Sequence, residues 1–175
     1  MPLLRQIAQL GHPALRTPAR PVALPAKDVL RTFVDDLMAT MLDADGVGIA
    51  APQVYDSSSL FIVASRPNPR YPDAPLMEPE VVINPEITWR SDEVVKGWEG
   101  CLSIPGIRGH VPRPQRIRAR YRTLDGSEVE REFVDFVARV FQHEDDHLRG
   151  IVFLDRLDST RDIICEKEFR KLTPP

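Results

Sequence analysis

Two cysteines among 175 residues, Cys101 and Cys165, are too few for a disulfide scaffold, so each is expected to be a free thiol. No apolar run approaches the roughly 20 residues that span a bilayer. The opening MPLLRQIAQLGHPALR lacks the long apolar centre and small-residue cleavage site of a secretory signal. These absences point to a soluble chain with no membrane partner, working in the cytoplasm, or in an organelle after processing. The formal charge of −3 gives no whole-protein attraction to nucleic acid, and no stable nucleic-acid partner is expected. Repeats are absent too, which excludes solenoid and array architectures. What is present, 42% hydrophobic and 28% charged residues, is ordinary globular composition. The length suits one domain over residues 1–175 with its own core.

Prolines divide the chain. Residues 1–26 are punctuated by them and are expected to wrap the surface. From Asp28 the apolar positions Val29, Leu30, Phe33, Val34, Leu37, Met38, Met41 and Leu42 have helical spacing, with Gly46 past the end. Residues 60–64 (LFIVA) and 81–87 (VVINPEI) predict strands, the second interrupted at Pro85. Between them, RPNPRYPDAPLMEP predicts a long surface loop. Residues 116–133 predict a hairpin turning at Asp125-Gly126, with an odd-length loop centred on Gly126 that sets Arg122 against Glu130 and Arg120 against Glu132. Phe136, Val137, Val140, Phe141 and Leu148 mark another helix, stopped by Gly150. A short helix from Ser159 or Thr160, carrying Ile163, Ile164, Phe169 and Leu172, is expected to close the chain, with Cys165 packed on it. The class predicted is α+β: antiparallel sheets around a central helix, with an amino-terminal helix and a short carboxy-terminal one.

The central helix carries FQHEDDHLRG at 141–150. On a helix His143 and His147 lie one turn apart on one face, close enough to share an ion. Glu144 is turned about 100° away, near that ion without having to bind it. In such an H-E-x-x-H arrangement the imidazoles are ligands and the glutamate is a general base. The competing reading is a solvated polar face. A hydrolytic metal site needs a third protein ligand and one open position. Downstream only Asp155 and Asp158 are on offer, whereas upstream EGCLS at 99–103 presents Cys101, which alone would read as a packed thiol and with two histidines becomes the better donor.

GVGIAAPQ at 46–53, EGCLS at 99–103 and QHEDDH at 142–147, in that order, resemble the three sequence blocks of the peptide deformylases. Further agreement at 11–16, 83–87 and 103–109 extends the likeness over nearly the whole chain. Two departures stand out. Tyr55 occupies a place where members commonly have glycine, and Asp135-Phe136 fall where a glycine often precedes the metal helix. The carboxy-terminal extension is also short. These touch loop shape and docking, not the metal centre.

The resemblance implies hydrolytic removal of the N-formyl group from the first methionine of new polypeptides. It implies one divalent metal ion on Cys101, His143 and His147, ferrous iron in the working enzyme, although a sulfur and two nitrogens equally suit zinc, nickel or cobalt. Glu144 would move the water proton, and the Gln53 amide and Leu102 backbone N–H would meet the oxyanion. Gly46 and Gly48, lacking side chains, would let a peptide pair with the backbone as an added strand. Glu99 and Gly100 join that substrate-binding set. Val47, Ile49, Phe136 and Val140 are candidates for a methionine pocket, and equally for core. Gln142 and Asp146 are candidates to orient a ligand, and Asp145 reads as solvated beside Arg149. Arg116, Arg118, Arg120 and Arg122 read as a hairpin face neutralised by Glu128, Glu130 and Glu132, with Arg108 and Arg113 nearby and transient contact with ribosomal RNA as the alternative. The rival functions are a zinc endopeptidase using the same helix and a metal-binding module whose chemistry has lapsed. An intact Glu144 and Gln53 speak against the second.

Overall fold

The computed structural model describes residues 2–24 and 28–172. Position 1, positions 25–26 of the expected wrapping segment and the chain end at 173–175 lie outside the described residues. Helix α1 (Asp28–Asp43) runs as its apolar spacing predicts. Strands β1 (Gly48–Ala50), β2 (Leu60–Val63) and β3 (Glu80–Arg90) follow, then β4 (Val94–Cys101), β5 (Ile104–Pro114), β6 (Arg116–Arg122) and β7 (Glu128–Val134). Helix α2 (Asp135–Leu148), strand β8 (Ile163–Cys165) and helix α3 (Glu166–Leu172) complete the chain. The named strands all pair antiparallel, in one sheet of order β1-β2-β3-β6-β7 and a second of order β4-β5-β8. None of the described helices is long and apolar enough to cross a membrane.

The five-stranded sheet is buried on both faces where α1 and α2 cover it. In β2 the alternate residues Phe61 and Val63 join the core under α2, while Leu60 and Ile62 join the core under α1. This is the two-residue period of a strand reading two apolar layers, and it explains why LFIV shows no polar alternation. A third cluster, with Leu15, Ile104, Val111 and Phe153, lies under the smaller sheet and takes in Cys101.

Several expectations need correction. Strand β3 passes through Pro85 instead of stopping, because Asn84 turns to φ 51° and the ladder to β6 shifts between Ile83 and Glu86, so the proline sits at an irregularity where no ladder donor is needed. The β6–β7 register sets Arg122 opposite Glu128, Arg120 opposite Glu130 and Arg118 opposite Glu132. The odd loop is thus centred on Asp125, one residue early. Gly126 takes the left-handed position in it (φ 88°) while Asp125 Oδ1 accepts from the Ser127 N–H at 3.0 Å. The last helix begins at Glu166, since Ile163 and Ile164 pair with β5 as β8, and β-branched residues suit that strand. Cys165 is consequently exposed on β8 and not packed on a helix. Asp145 is buried, and it still accepts from Arg149 at 2.9 Å. Arg108 and Arg113 are buried, not part of a surface face. The hairpin arginines do face carboxylates: Arg122 meets Glu128 at 2.8 Å, Arg120 meets Glu86 at 2.7 Å, and Arg116 pairs with Glu132.

Candidate metal centre

Cys101 is the last residue of β4, next to the two-residue turn that leads into β5, and α2 crosses directly beneath it. That crossing brings Cys101, His143 and His147 together. Their donor atoms all lie within 4.8 Å of one another, and all three residues are buried. Cys101 Sγ stands 3.3 Å from His147 Nε2. His143 is anchored on its far side, where Nδ1 lies 2.9 Å from Glu99 Oε2. This carboxylate fixes the ring and leaves Nε2 for an ion.

Glu99 is held in turn. Arg113 donates to both of its oxygens, Nε to Oε1 at 2.9 Å and Nη2 to Oε2 at 3.0 Å, and Arg139 Nη1 adds a contact to Oε1 at 2.9 Å. Arg113 also reaches Asp146 at 2.6 Å, which accepts from Arg156 as well. The Glu99 carboxylate is thus committed to two arginines and a histidine. Asp146 belongs to the same network. Gln142 instead donates to the carbonyls of Pro114 and Ala138, both at 3.0 Å.

Gln53 is oriented by a single donor. The Ala50 N–H reaches Gln53 Oε1 at 2.8 Å, and because that group can only donate, the amide oxygen must face it. The amide nitrogen then points into the site, 3.5 Å from Cys101 Sγ and 3.2 Å from Ser103 Oγ. Glu144 lies over Gly48, where a Cβ would come within 2.5 Å of its Oε1. Its other oxygen is buried without a partner among the described residues, as is His147 Nδ1.

The electrostatics follow from this packing. Burial would raise the Cys101 thiol, but His147 and His143 beside it hold it well below the ordinary thiol value. Burial lifts Glu144 to about 7. Burial also works against a charged His143, and Cys101 and Glu99 overcome it, raising the imidazole well above its ordinary value. Burial pushes Glu99 upward, and the charge of Arg113 outweighs it. A thiolate between two imidazoles is a donor set for a divalent cation with a fourth position open. The unpartnered Glu144 oxygen beside it fits a water on that ion.

A cavity leads to the cluster. Val47, Gly48, Gln53, Glu99, Gly100 and Leu102 line it from one side, with Phe136, Val140, His143 and Glu144 from α2. Ile49 does not line it. Strand parity turns its side chain into the core under α1, opposite to Gly48 and Ala50. Gly46 also stands off the cavity wall, and its lack of a side chain answers to close packing, since a Cβ there would meet Met41 Cγ at 2.9 Å and Leu102 Cδ1 at 3.2 Å. Arg70, Tyr71, Trp98 and Arg139 line the cavity without having been singled out from the sequence. The one available signal for Tyr71 was an aromatic in a long proline-rich loop.

Residues 4–162 match the family profile of polypeptide deformylase. The chain is 53% identical to peptide deformylase 2 of Nostoc sp. strain PCC 7120 over 171 residues, covering 98% of this chain and 96% of that protein. It is 42% identical to peptide deformylase 1 of Bordetella pertussis, with 98% of each covered. Among solved structures, the Met-Ala-Ser-bound class I type b peptide deformylase of Acinetobacter baumannii superposes with a TM-score of 0.87 at 48% identity, over 90% of this chain and all of that one. The peptide deformylase of Thermotoga maritima superposes with a TM-score of 0.80 at 37% identity, over 89% of this chain and 99% of that one. With the Cys101, His143 and His147 cluster and Glu144 already in place, these matches show that the chain belongs to the peptide deformylase family.

Proposed function

We propose that this chain removes the formyl group from the amino-terminal methionine of newly made polypeptides, releasing formate, with Glu144 as the base. The observation that carries this reading is the buried Glu144 carboxylate, one oxygen unpartnered, beside a three-donor cluster at the end of a cavity. Cys101, His143 and His147 would hold the divalent ion, which supplies a Lewis acid for the formyl oxygen and acidifies a water. Glu144, which burial pushes up from the ordinary carboxylate range, would take the water proton and return it to the leaving amine. Gln53 Nε2, locked toward the site by the Ala50 N–H, is placed to donate to the developing oxyanion, with the Leu102 N–H as the second donor. Val47, Phe136 and Val140, which line the cavity, would give a methionine side chain its apolar wall. The peptide would extend along β1, an outer strand of its sheet, where Gly48 permits close approach. The relative with bound Met-Ala-Ser carries the peptide that deformylation of formyl-Met-Ala-Ser would leave.

Formate release from formyl-Met-Ala-Ser by the metal-loaded protein, with acetyl-Met-Ala-Ser and longer blocked peptides alongside, tests the reading. Release confined to the formylated peptide supports it. Equal turnover of the acetylated peptide, or cleavage within the longer ones, would favour an endopeptidase instead.

The working ion in this reading is ferrous iron, in a cytoplasmic enzyme that meets its substrates transiently at the ribosome. Iron beside a thiolate exposes that sulfur to oxidation, whereas zinc has no redox step. The iron form should lose activity in air faster than the zinc or nickel form, with added oxygen at Cys101 and not at Cys165 by mass spectrometry. Equal decay of all forms would overturn the assignment.

A further inference from the structure

In the ladder between β4 and β5, Glu99 pairs with Gly109 and Cys101 with Ile104, and the register shifts between them. Gly100 is the residue left without a strand partner. Its N–H and C=O need partners elsewhere, and one atom serves both. Tyr71 Oη accepts from the Gly100 N–H at 3.0 Å and donates to the Gly100 carbonyl at 3.4 Å. A hydroxyl donates and accepts at once, so it offers Gly100 the same two functions that an antiparallel neighbouring strand would offer. Strand β4 is an outer strand of its sheet, and Gly100 and Tyr71 both line the cavity leading to Cys101 and Glu144.

We infer that Tyr71 is a specificity-determining residue whose hydroxyl stands in for substrate backbone at the Gly100 edge and is displaced by a formylated peptide long enough to supply its own N–H and C=O there. The inference rests on the deformylase reading. The exchange conserves hydrogen bonds: the Gly100 groups pass to the peptide, and the hydroxyl is released to water.

The rest of Tyr71 is held independently of that contact. Its ring packs against Phe136 at 5.4 Å and under the Arg108 guanidinium at 4.8 Å. Arg108 is itself fixed by Glu166 at 2.8 and 2.9 Å and by the Arg70 carbonyl at 2.8 Å. The Tyr71 N–H is tied to Asn68 Oδ1 at 3.0 Å. Displacing the hydroxyl breaks two hydrogen bonds and tilts the ring against its packing on Phe136 and Arg108, but it disturbs no strand ladder. Peptides that end before the Gly100 edge gain nothing from the exchange, so the residue discriminates by length of backbone.

Tyr71→Phe keeps the ring packing and removes only the hydroxyl. In the metal-loaded enzyme KM for formyl-Met-Ala-Ser should fall roughly three- to tenfold, the worth of about one net hydrogen bond, with kcat little changed. KM for N-formylmethionine methyl ester, which has no backbone N–H beyond the methionine, should stay where it is. In the free protein, hydrogen exchange at the Gly100 amide should speed up in the variant. A KM that moves equally for both substrates, rises for the tripeptide or stays fixed for both would overturn the inference, as would unchanged Gly100 exchange. Absence of formate release from either substrate in the unaltered enzyme would instead overturn the deformylase reading.

Discussion

Replacing Arg113 with methionine tests how the metal helix is braced. Arg113 is 4% exposed, and its guanidinium donates in parallel to Glu99 at 2.9 and 3.0 Å and reaches Asp146 at 2.6 Å. Without it two buried carboxylates lose a counter-charge, and breaking a buried pair from one side costs ~3–5 kcal/mol. Part of that is offset, because Arg139 still contacts Glu99 at 2.9 Å and Arg156 still contacts Asp146 at 2.5 Å. The lower end, about 3 kcal/mol, is therefore expected. At roughly 2–4 °C per kcal/mol for a chain of this size, the unfolding midpoint should drop by about 6–12 °C. The pH dependence has a fixed sign. Burial pushes both carboxylates up, and their arginine partners more than reverse it, leaving Glu99 and Asp146 below the ordinary range. Depressed folded values mean stability that is complete above the unfolded carboxylate range and is lost as pH falls through the folded values. The gap between wild type and variant should be full at neutral pH and shrink below about pH 4. Thermal and urea unfolding of the metal-free protein measure it. A variant within about 1 kcal/mol of wild type at pH 7 would refute the reasoning, showing that Arg139 and Arg156 suffice.

Glu144→Gln deletes the base and no ligand, so metal content should stay constant while formate release falls at least about 100-fold; a variant near wild-type turnover would remove Glu144 from the chemistry. Gly48→Ala places a methyl 2.5 Å from Glu144 Oε1, and the displaced carboxylate should lower kcat by about 100-fold with the fold intact by circular dichroism. Cys101→Ser replaces a thiolate with a neutral hydroxyl, so the metal should be lost to a chelator far faster than from wild type. Equal retention would show that the sulfur is not a ligand.

Local periodicity explains what could be read in advance. Helix α1 and the metal helix follow from apolar spacing, and one helical turn between His143 and His147 needs no tertiary knowledge. What failed depended on parity or on distance along the chain. Strand parity alone separates Gly48 from Ile49, yet the short β1 carries too few residues to display an alternation. The β6–β7 register hinged on which loop residue takes the left-handed conformation, a one-residue choice that shifts every pair by two. The restraints on Glu99 come from Arg113 and Arg139, 14 and 40 residues away, and no spacing rule connects them. Tyr71 reaches Gly100 across 29 residues from a loop without regular structure.

The two departures from the family pattern gain a physical meaning from the backbone. Tyr55 and Asp135 both adopt left-handed conformations, with φ 66° and 51°. A side chain there costs roughly 1–2 kcal/mol relative to the relaxed backbone, which is why glycine suits such positions. This chain offsets the cost locally in each case. The Asp135 carboxylate accepts from Gln115 Nε2 at 2.8 Å while its N–H reaches the Gln115 carbonyl at 2.8 Å, so the residue that starts the metal helix is clamped to the end of β5. Tyr55 lies edge-on to His12 at 4.8 Å, which pins the turn after Gln53 to the amino-terminal segment. Both departures thus replace backbone freedom with a side-chain contact at a junction that positions a site residue, Gln53 in one case and the helix of His143 and His147 in the other. A glycine in a family pattern marks a conformation before it marks a residue, and another residue serves there when it brings its own partner.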